Sequence, residues 1–495
     1  MKKRMLSKSN YLLGLQCSKL LWVAVNDKKR IPDPDEIAQK KFDDGHVIGE
    51  LAKRVFPKGQ DIPDEDFKQN LAETKKLIEK RIPLFEPAFS IDDLYSRADI
   101  LVPVEEDKWD IVEVKSATKV KDVNLHDVSF QKYVYEKSGL KIRKCFLMHI
   151  NNEYCLNGQI EPKELFVQTE ISDEVEEVSK GIEDRIEEMK EIINSDEEPT
   201  SRINVSCDDP YECAIKNECW NSIPENSVFE FYRMLKKKCF ELYDDGIINI
   251  RDVPGSVKLN EKQQIQKRLS HDGGKHIDKT EIKNFLGNLK YPVYYLDFET
   301  INPILPKFNG MKPYQRIPFQ FSLHIQKEGS GEVEHVSFLY DGTDDPRPKF
   351  MQALKDNLGD TGSILVYNQG FEKGVMNECV TAFPEFREWY DEKILPRIKD
   401  LWDVFRNFYY YDPKQKGSCS IKYVLPVMSD LSYKNLEHVK KGDVASYEYE
   451  KVTFDPAVSP EEKAKIRTAL EKYCELDTLA EVEIVQKLKQ VVEEP

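Results

Sequence analysis

A chain of 495 residues is longer than one hydrophobic core usually serves, so two or three domains are expected. With 40% apolar and 11% aromatic residues the composition excludes a disordered chain, and without an 18-residue apolar run no membrane span is predicted. The net charge of −16 weighs against nonspecific wrapping of a polyanion, but much of the acid lies in residues 173–198. That run, DEVEEVSKGIEDRIEEMKEIINSDEE, has helical spacing and predicts a solvated face. The opening residues are basic, yet Ser, Asn, Gln and Gly break their apolar positions, so no secretory leader is expected. A cytoplasmic location follows as the expectation, with reduced cysteines whose clusters point to metal rather than disulfides.

Three zones are predicted: 1–225, 226–288 and 289–495. In the first, SRADILVPVEEDKWDIVEVKSA reads as two strands around a turn near Glu106. Glu113 and Lys115 then share one strand face, and Asp99 lies across from Glu113. Opposed carboxylates cost a hairpin roughly 0.2–1 kcal/mol, a penalty that a hard divalent cation reverses. On the following helix, Gln131 and Tyr135 are four apart and point the same way.

Asp99 followed by Glu113-Val-Lys115 resembles the PD-(D/E)XK nuclease core, specifically its RecB-like branch. Gln131 and Tyr135 match that branch's QxxxY motif, and His46, in FDDGHVIGELAK, stands where such nucleases place an extra metal-binding histidine. The resemblance implies a restriction-endonuclease-like α/β fold. It also implies Mg2+ or Mn2+ held by His46, Asp99 and Glu113, with Lys115, Gln131 and Tyr135 in the catalytic set. Taken singly, Gln131 and Tyr135 read equally as a surface pair and His46 as a solvated helix residue.

Cys17 precedes this core, and Cys207, Cys213 and Cys219 follow it in a polar stretch, CDDPYECAIKNECW. One cysteine before and three after is similar to the iron–sulfur nucleases of the AddB and CRISPR-associated type. There a 4Fe–4S cluster joins the two ends of the domain. Both gaps among the last three cysteines are five residues here, where the usual pattern begins CxxC, and four thiolates also suit zinc. The zone 226–288 reads as a helical linker or a DNA-contact segment, and HDGGKH, His271 to His276, as a flexible joint.

The last zone opens on an apolar strand, YPVYYLDFET, where Asp297 and Glu299 leave one face together. Another strand leads to Asn368, Phe371 and Glu372, and a terminal amphipathic helix sets Tyr473 and Asp477 four apart on one face. This order resembles the DnaQ-like, RNase H-fold exonucleases of the DEDDy kind, with DxE, N-x-x-F-D and YxxxD motifs. By that resemblance Asp297, Glu299, Glu372 and Asp477 hold two metals, and Tyr473 orients the attacking water. Glu372 stands where the family has Asp. Asp400 and the segment GSCSIKYVLP resemble the middle of that fold.

The two resemblances together imply an α/β chain with a PD-(D/E)XK domain and an RNase H-like exonuclease domain. The expected activity is metal-dependent cleavage of nucleic acid, DNA with free ends or single strands above all, in repair or defence. The alternative is a nucleic-acid-binding protein with one active module and a degenerate, clamp-like second one. No Gly-rich P-loop is present, so no ATP-driven motor is expected on this chain.

Overall fold

The computed structural model describes residues 4–63, 66–328 and 332–494 and shows a mixed α/β protein in two units. The first unit runs to Ser222 and takes in Ile304–Pro313. The second holds Ile223–Pro303 and the chain from Tyr314 onward. Among the described residues no helix is long and apolar enough to cross a membrane.

In the first unit the helices α1 (Lys8–Gln16), α2 (Ser18–Asn26) and α3 (Glu36–Lys53) precede the sheet. Short strands β1 (Gln60–Asp61) and β2 (Leu84–Phe85) come next, then the hairpin β3 (Ala88–Ile91) and β4 (Leu94–Arg97). The centre is β5 (Ile100–Pro103), β6 (Lys108–Lys115), α4 (Asp122–Lys137), β7 (Lys141–Ile150) and β8 (Phe166–Glu170). The sheet order is β1-β2-β5-β6-β7-β8. β5 and β6 are antiparallel, whereas β6 and β7 run parallel, which requires a crossover, and α4 supplies it. Val128, Phe130 and Val134 of α4 pack with Ile111, Cys145 and Leu147 of the sheet.

The acidic run forms two helices, Ser172–Ser179 and α5 (Ile182–Asn194). Gly181, at φ 70°, makes the left-handed break between them, a conformation most side chains resist. Ile182, Ile186, Met189 and Ile193 enter the core while Glu187, Glu188 and Glu191 stay exposed, so the solvated face has a buried opposite side.

The second unit contains α6 (Glu261–Asp272) and the sheet β9 (Val293–Ile301), β10 (Ile317–Gln326), β11 (Val333–Leu339), β12 (Ser363–Val366) and β13 (Ile398–Asp400). Its helices include α7 (Gln369–Ala382), α8 (Ile421–Met428), α9 (Gly442–Phe454) and α10 (Pro460–Glu493). The sheet order is β11-β10-β9-β12-β13, with β10 alone antiparallel to its neighbours on both sides and β9, β12 and β13 mutually parallel. β9 is central, and Tyr295 and Val293 pack with Ile484, Val485 and Leu488 of α10 on one face. Leu296 and Phe298 pack with Phe350 and Val375 on the other.

The stretch 226–288 belongs to this second unit: Tyr232, Leu269 and Ile282 share the core of β9 and α10. Two of its glutamines, Gln263 and Gln266, are buried. Gln266 accepts from the Tyr232 amide at 2.7 Å and donates to the Glu230 carbonyl at 2.9 Å, while Gln263 donates to the Tyr232 carbonyl at 3.1 Å. The expected joint at 271–276 begins in the last residues of α6 and ends at His276, which with Ile277 pairs antiparallel with Tyr411 and Tyr410.

Candidate active sites

In the first unit the register Ile100–Val112 sets Asp99 opposite Glu113, as a turn at Glu106 requires. Asp99 does not face its counterpart unaided, since its Oδ2 accepts the Val114 amide at 2.7 Å. Glu113 is 1% exposed and sits among four partners. Lys115 donates to its Oε1 at 2.6 Å, Lys8 to the same oxygen at 3.0 Å, and Gln131 to its Oε2 at 2.7 Å. Asp127 completes the cluster, 2.8 Å from Lys115 and 3.2 Å from Lys8, and accepts from Gln131 at 2.9 Å. Burial and the carboxylates of Asp127 and Asp99 push the Glu113 carboxyl up to about 7. Burial also opposes ionisation of Asp127, but Lys8 and Lys115 outweigh it and hold that carboxyl far below its usual range. Asp99 is raised, chiefly by burial.

A cleft of about 600 Å³ opens beside this cluster, lined among others by Lys8, His46, Glu86, Asp99 and Lys115. His46 thus reaches the same cleft from the exposed side of α3. Tyr135 does not face the cleft. It is fully buried, its hydroxyl donating to the Pro87 carbonyl at 2.5 Å and accepting from the Ala98 amide at 2.8 Å. It therefore braces the hairpin that leads into Asp99. The two members the sequence reading missed were weakly signalled. Asp127 lies one helical turn before Gln131, and Lys8 starts α1 directly after Leu6–Ser7, which pairs with Leu94–Tyr95.

The four cysteines converge. Cys17, Cys207, Cys213 and Cys219 line one small cavity, with Gln16, Ser201 and Lys216 on its rim. None is in a disulfide. The surrounding polar staple also joins the domain's ends: Gln16 donates to the Ser206 and Tyr211 carbonyls at 2.7 Å each, and Trp22 to the Ser195 carbonyl at 3.0 Å. Lys19 adds ion pairs to Glu198 at 3.0 Å and Glu218 at 2.9 Å.

In the second unit Asp297 and Glu299 leave the same face of β9, and Asp477 comes from α10 opposite. One oxygen of each lies within 4.8 Å of the others. Among the described residues no lysine or arginine forms an ion pair with these three. Burial, reinforced by their neighbours, pushes Asp297 and Glu299 well above the usual carboxylate range, and burial raises Asp477 to about 6. Tyr433 donates to Asp477 at 2.5 Å. Lys422, within the GSCSIKYVLP segment, lies 5.6 Å from the Tyr473 ring and 5.8 Å from that of Tyr433. Tyr473 is 3% exposed and stands beside Asp477 and Glu299. The N-terminus of α9 adjoins the group, since a Cβ on Gly442 would stand 3.6 Å from Glu299 Oε2.

Two further acids surround this trio. Glu372 on α7 and Glu481 on α10 are 2% and 1% exposed, and each has one oxygen with no hydrogen-bond partner. Burial first, then the charge of Asp297, raises both carboxyls far above their usual range. Glu372 stands outside the three-residue ligand cluster but within its field. Glu481 follows Asp477 by one helical turn, a spacing that extends the Tyr473–Asp477 stripe and could have marked it.

Asp400 has a different task. It accepts from the Asn368 amide at 2.9 Å, the Gln369 amide at 3.2 Å and the Trp402 amide at 3.1 Å. It thereby holds the start of α7, where Asn368 adopts the left-handed conformation that Asn tolerates better than most residues. Asp400→Ala should therefore lower stability by about 1–3 kcal/mol, read as a lower urea midpoint, because three partly buried amides lose their acceptor. An unchanged midpoint would remove this assignment.

Residues 294–420 match a family described as a domain of unknown function, DUF2779, a span that includes Asp297, Glu299, Glu372 and Asp400. The chain is similar to the uncharacterized protein MG366 of Mycoplasma genitalium, 29% identical over 232 residues, 43% of this chain and 34% of that protein. The MG366 homolog of Mycoplasma pneumoniae is 28% identical over 232 residues, with the same coverage. The uncharacterized protein UU173 of Ureaplasma parvum is 27% identical over 234 residues, 43% of this chain and 33% of that protein. The chain thus spans about a third of the length of these relatives.

Proposed function

We propose that this protein is a metal-dependent nuclease, with an RNase H-like exonuclease site in the second unit and a PD-(D/E)XK site in the first. The observation that carries the reading is the trio Asp297, Glu299 and Asp477. Three carboxylates within 4.8 Å, Glu299 and Asp477 buried and Asp297 half-buried, without an ion-pairing lysine or arginine among the described residues, are costly unless a cation joins them. Hard oxygen donors suit Mg2+ or Mn2+. A bound divalent ion would activate water and neutralise charge on a phosphodiester. Asp297, Glu299 and Asp477 would hold it, with Glu372 and Glu481 in reserve around them. Tyr473 would orient the attacking water, and Lys422 and the positive end of α9 would favour the phosphate. The strand order of the second unit, with its one antiparallel inner strand, supports the RNase H-like reading. In the first unit the β5–β6 hairpin, the α4 crossover and the Asp99, Glu113, Lys115 and Gln131 set support the PD-(D/E)XK reading.

A second reading, with one active module, draws on Lys8 and Lys115. These lysines already compensate Glu113 and Asp127, so the first unit can stay folded as a nucleic-acid clamp without metal. The test is degradation of end-labelled single- and double-stranded DNA and RNA in Mg2+ or Mn2+, against EDTA. Cleavage that EDTA abolishes supports a nuclease, and no cleavage of any substrate removes the proposal.

The four-cysteine cavity fits a soft-metal group, because four cysteines outside any disulfide line a single space. A 4Fe–4S cluster is the group proposed, with zinc as the other occupant the donor set allows. Anaerobically prepared protein should be brown, with broad absorption near about 400 nm that Cys213→Ser removes. Stoichiometric zinc without iron would overturn the cluster. Cys17→Ser should lose the chromophore yet leave the domain's ends joined, because Gln16, Lys19 and Trp22 also tie them.

A further inference from the structure

We propose that His324, His335 and Glu475 form a binding site for one divalent transition metal of the zinc class, apart from the carboxylate trio. His324 on β10 and His335 on β11 are direct cross-strand partners, their rings stacked at 4.4 Å and 26°. Glu475 on α10 faces them, its Oε1 3.8 Å from His335 Nδ1. One ligand atom from each of the three residues lies within 4.8 Å of the other two.

The hydrogen bonds behind the rings decide which nitrogens are bare. The Thr478 hydroxyl donates its one proton to the Glu475 carbonyl at 3.2 Å. In that arrangement it accepts from both of its other neighbours, the Ser322 hydroxyl at 2.6 Å and His324 Nδ1 at 2.8 Å. Ser322, having donated to Thr478, accepts from His335 Nε2 at 2.9 Å. This assignment satisfies every group in the chain. It protonates His324 at Nδ1 and His335 at Nε2, leaving lone pairs on His324 Nε2 and His335 Nδ1. The His335 lone pair then faces a carboxylate oxygen, an arrangement that repels unless a cation lies between them. Hydroxyls that fix tautomer and ring orientation are the support a ligating histidine receives in metal sites.

Two imidazoles and one carboxylate favour zinc, cobalt or nickel over magnesium. Access is open, because β11 is the sheet's edge and the His335 and Glu475 side chains are 27% and 47% exposed, whereas His324 is 5% exposed and anchored. Three protein ligands leave a fourth position for water or a small ligand.

The experiment titrates full-length protein with Zn2+ against a chromophoric chelator, in excess Mg2+ to fill hard-oxygen sites, and repeats it with Co2+ to read visible d–d bands. His335→Ala should lose one tightly bound equivalent, its Kd rising at least about 100-fold, and Glu475→Gln should weaken the same equivalent about 10–100-fold. The Co2+ bands lost in the variants should lack sulfur-to-metal charge transfer, which separates this site from the cysteines. Both substitutions alter exposed side chains, and circular dichroism checks that each variant is folded. Wild-type stoichiometry and affinity in either folded variant would overturn the proposal.

Discussion

Asp297→Asn should lower cleavage by the second unit by on the order of 10²–10³-fold, and should stabilise the metal-free protein at neutral pH. Both effects come from one cause. Asp297, Glu299, Glu372 and Glu481 titrate well above the usual carboxylate range, and Asp477 is pushed up to about 6. The folded chain therefore keeps protons that the unfolded chain, with carboxyls near about 4, has released. The stability these groups contribute is full below the unfolded value and is lost as pH rises through the folded one. For Asp477 that window runs from about 4 to about 6, and for the other four it extends higher. Thermal melts in EDTA should show the gap between Asp297→Asn and wild type widening as pH rises through this window. Mn2+ should close the gap by stabilising the wild type. A gap independent of both pH and metal would mean that the cluster carries no repulsion for a cation to relieve.

Glu113→Ala should remove cleavage by the first unit, again on the order of 10²–10³-fold, but its stability effect has the opposite sign. Glu113 lies between Lys8 and Lys115, and removing it leaves two half-buried ammonium groups sharing Asp127. Breaking a buried ion pair on one side costs about 3–5 kcal/mol, and the lower end is expected here because the Glu113 carboxyl, pushed up to about 7, is only partly ionised at neutral pH, Asp127 remains, and Lys8 and Lys115 are half-buried. Urea unfolding should show the loss, and Lys8→Met added to Glu113→Ala should recover part of it. Full stability in Glu113→Ala would show that the cluster is solvated rather than closed.

The two carboxylate sites were legible in sequence wherever a strand or a single helix fixed the spacing. Asp297 with Glu299, Glu113 with Lys115, and Asp477 with Tyr473 each follow from one element's period. Partners from other elements were not legible. Lys8 reaches Glu113 across more than a hundred residues, and no local period encodes that approach. Tyr135 carried the spacing, but period gives only a side chain's direction, and the fold adds that its hydroxyl ends on Pro87 and Ala98. Asp400 was likewise read by position, while its carboxylate serves the backbone of α7. The sheet's two-strand histidine pair was silent, since His324 and His335 become neighbours only through the β10–β11 register. The helices at 226–288 were seen, but their allegiance to the second unit lay in Gln263 and Gln266, polar residues whose burial no hydropathy pattern reports.

The proposed nuclease has two sites, and each is expected to cut alone. The direct measurement is degradation of end-labelled single-stranded DNA and RNA in Mn2+ by wild type, Glu113→Ala, Asp297→Asn and the double variant. Each single variant should retain one set of products and lose the other, and the double variant should leave substrate intact. Degradation by the folded double variant at the wild-type rate would contradict the account.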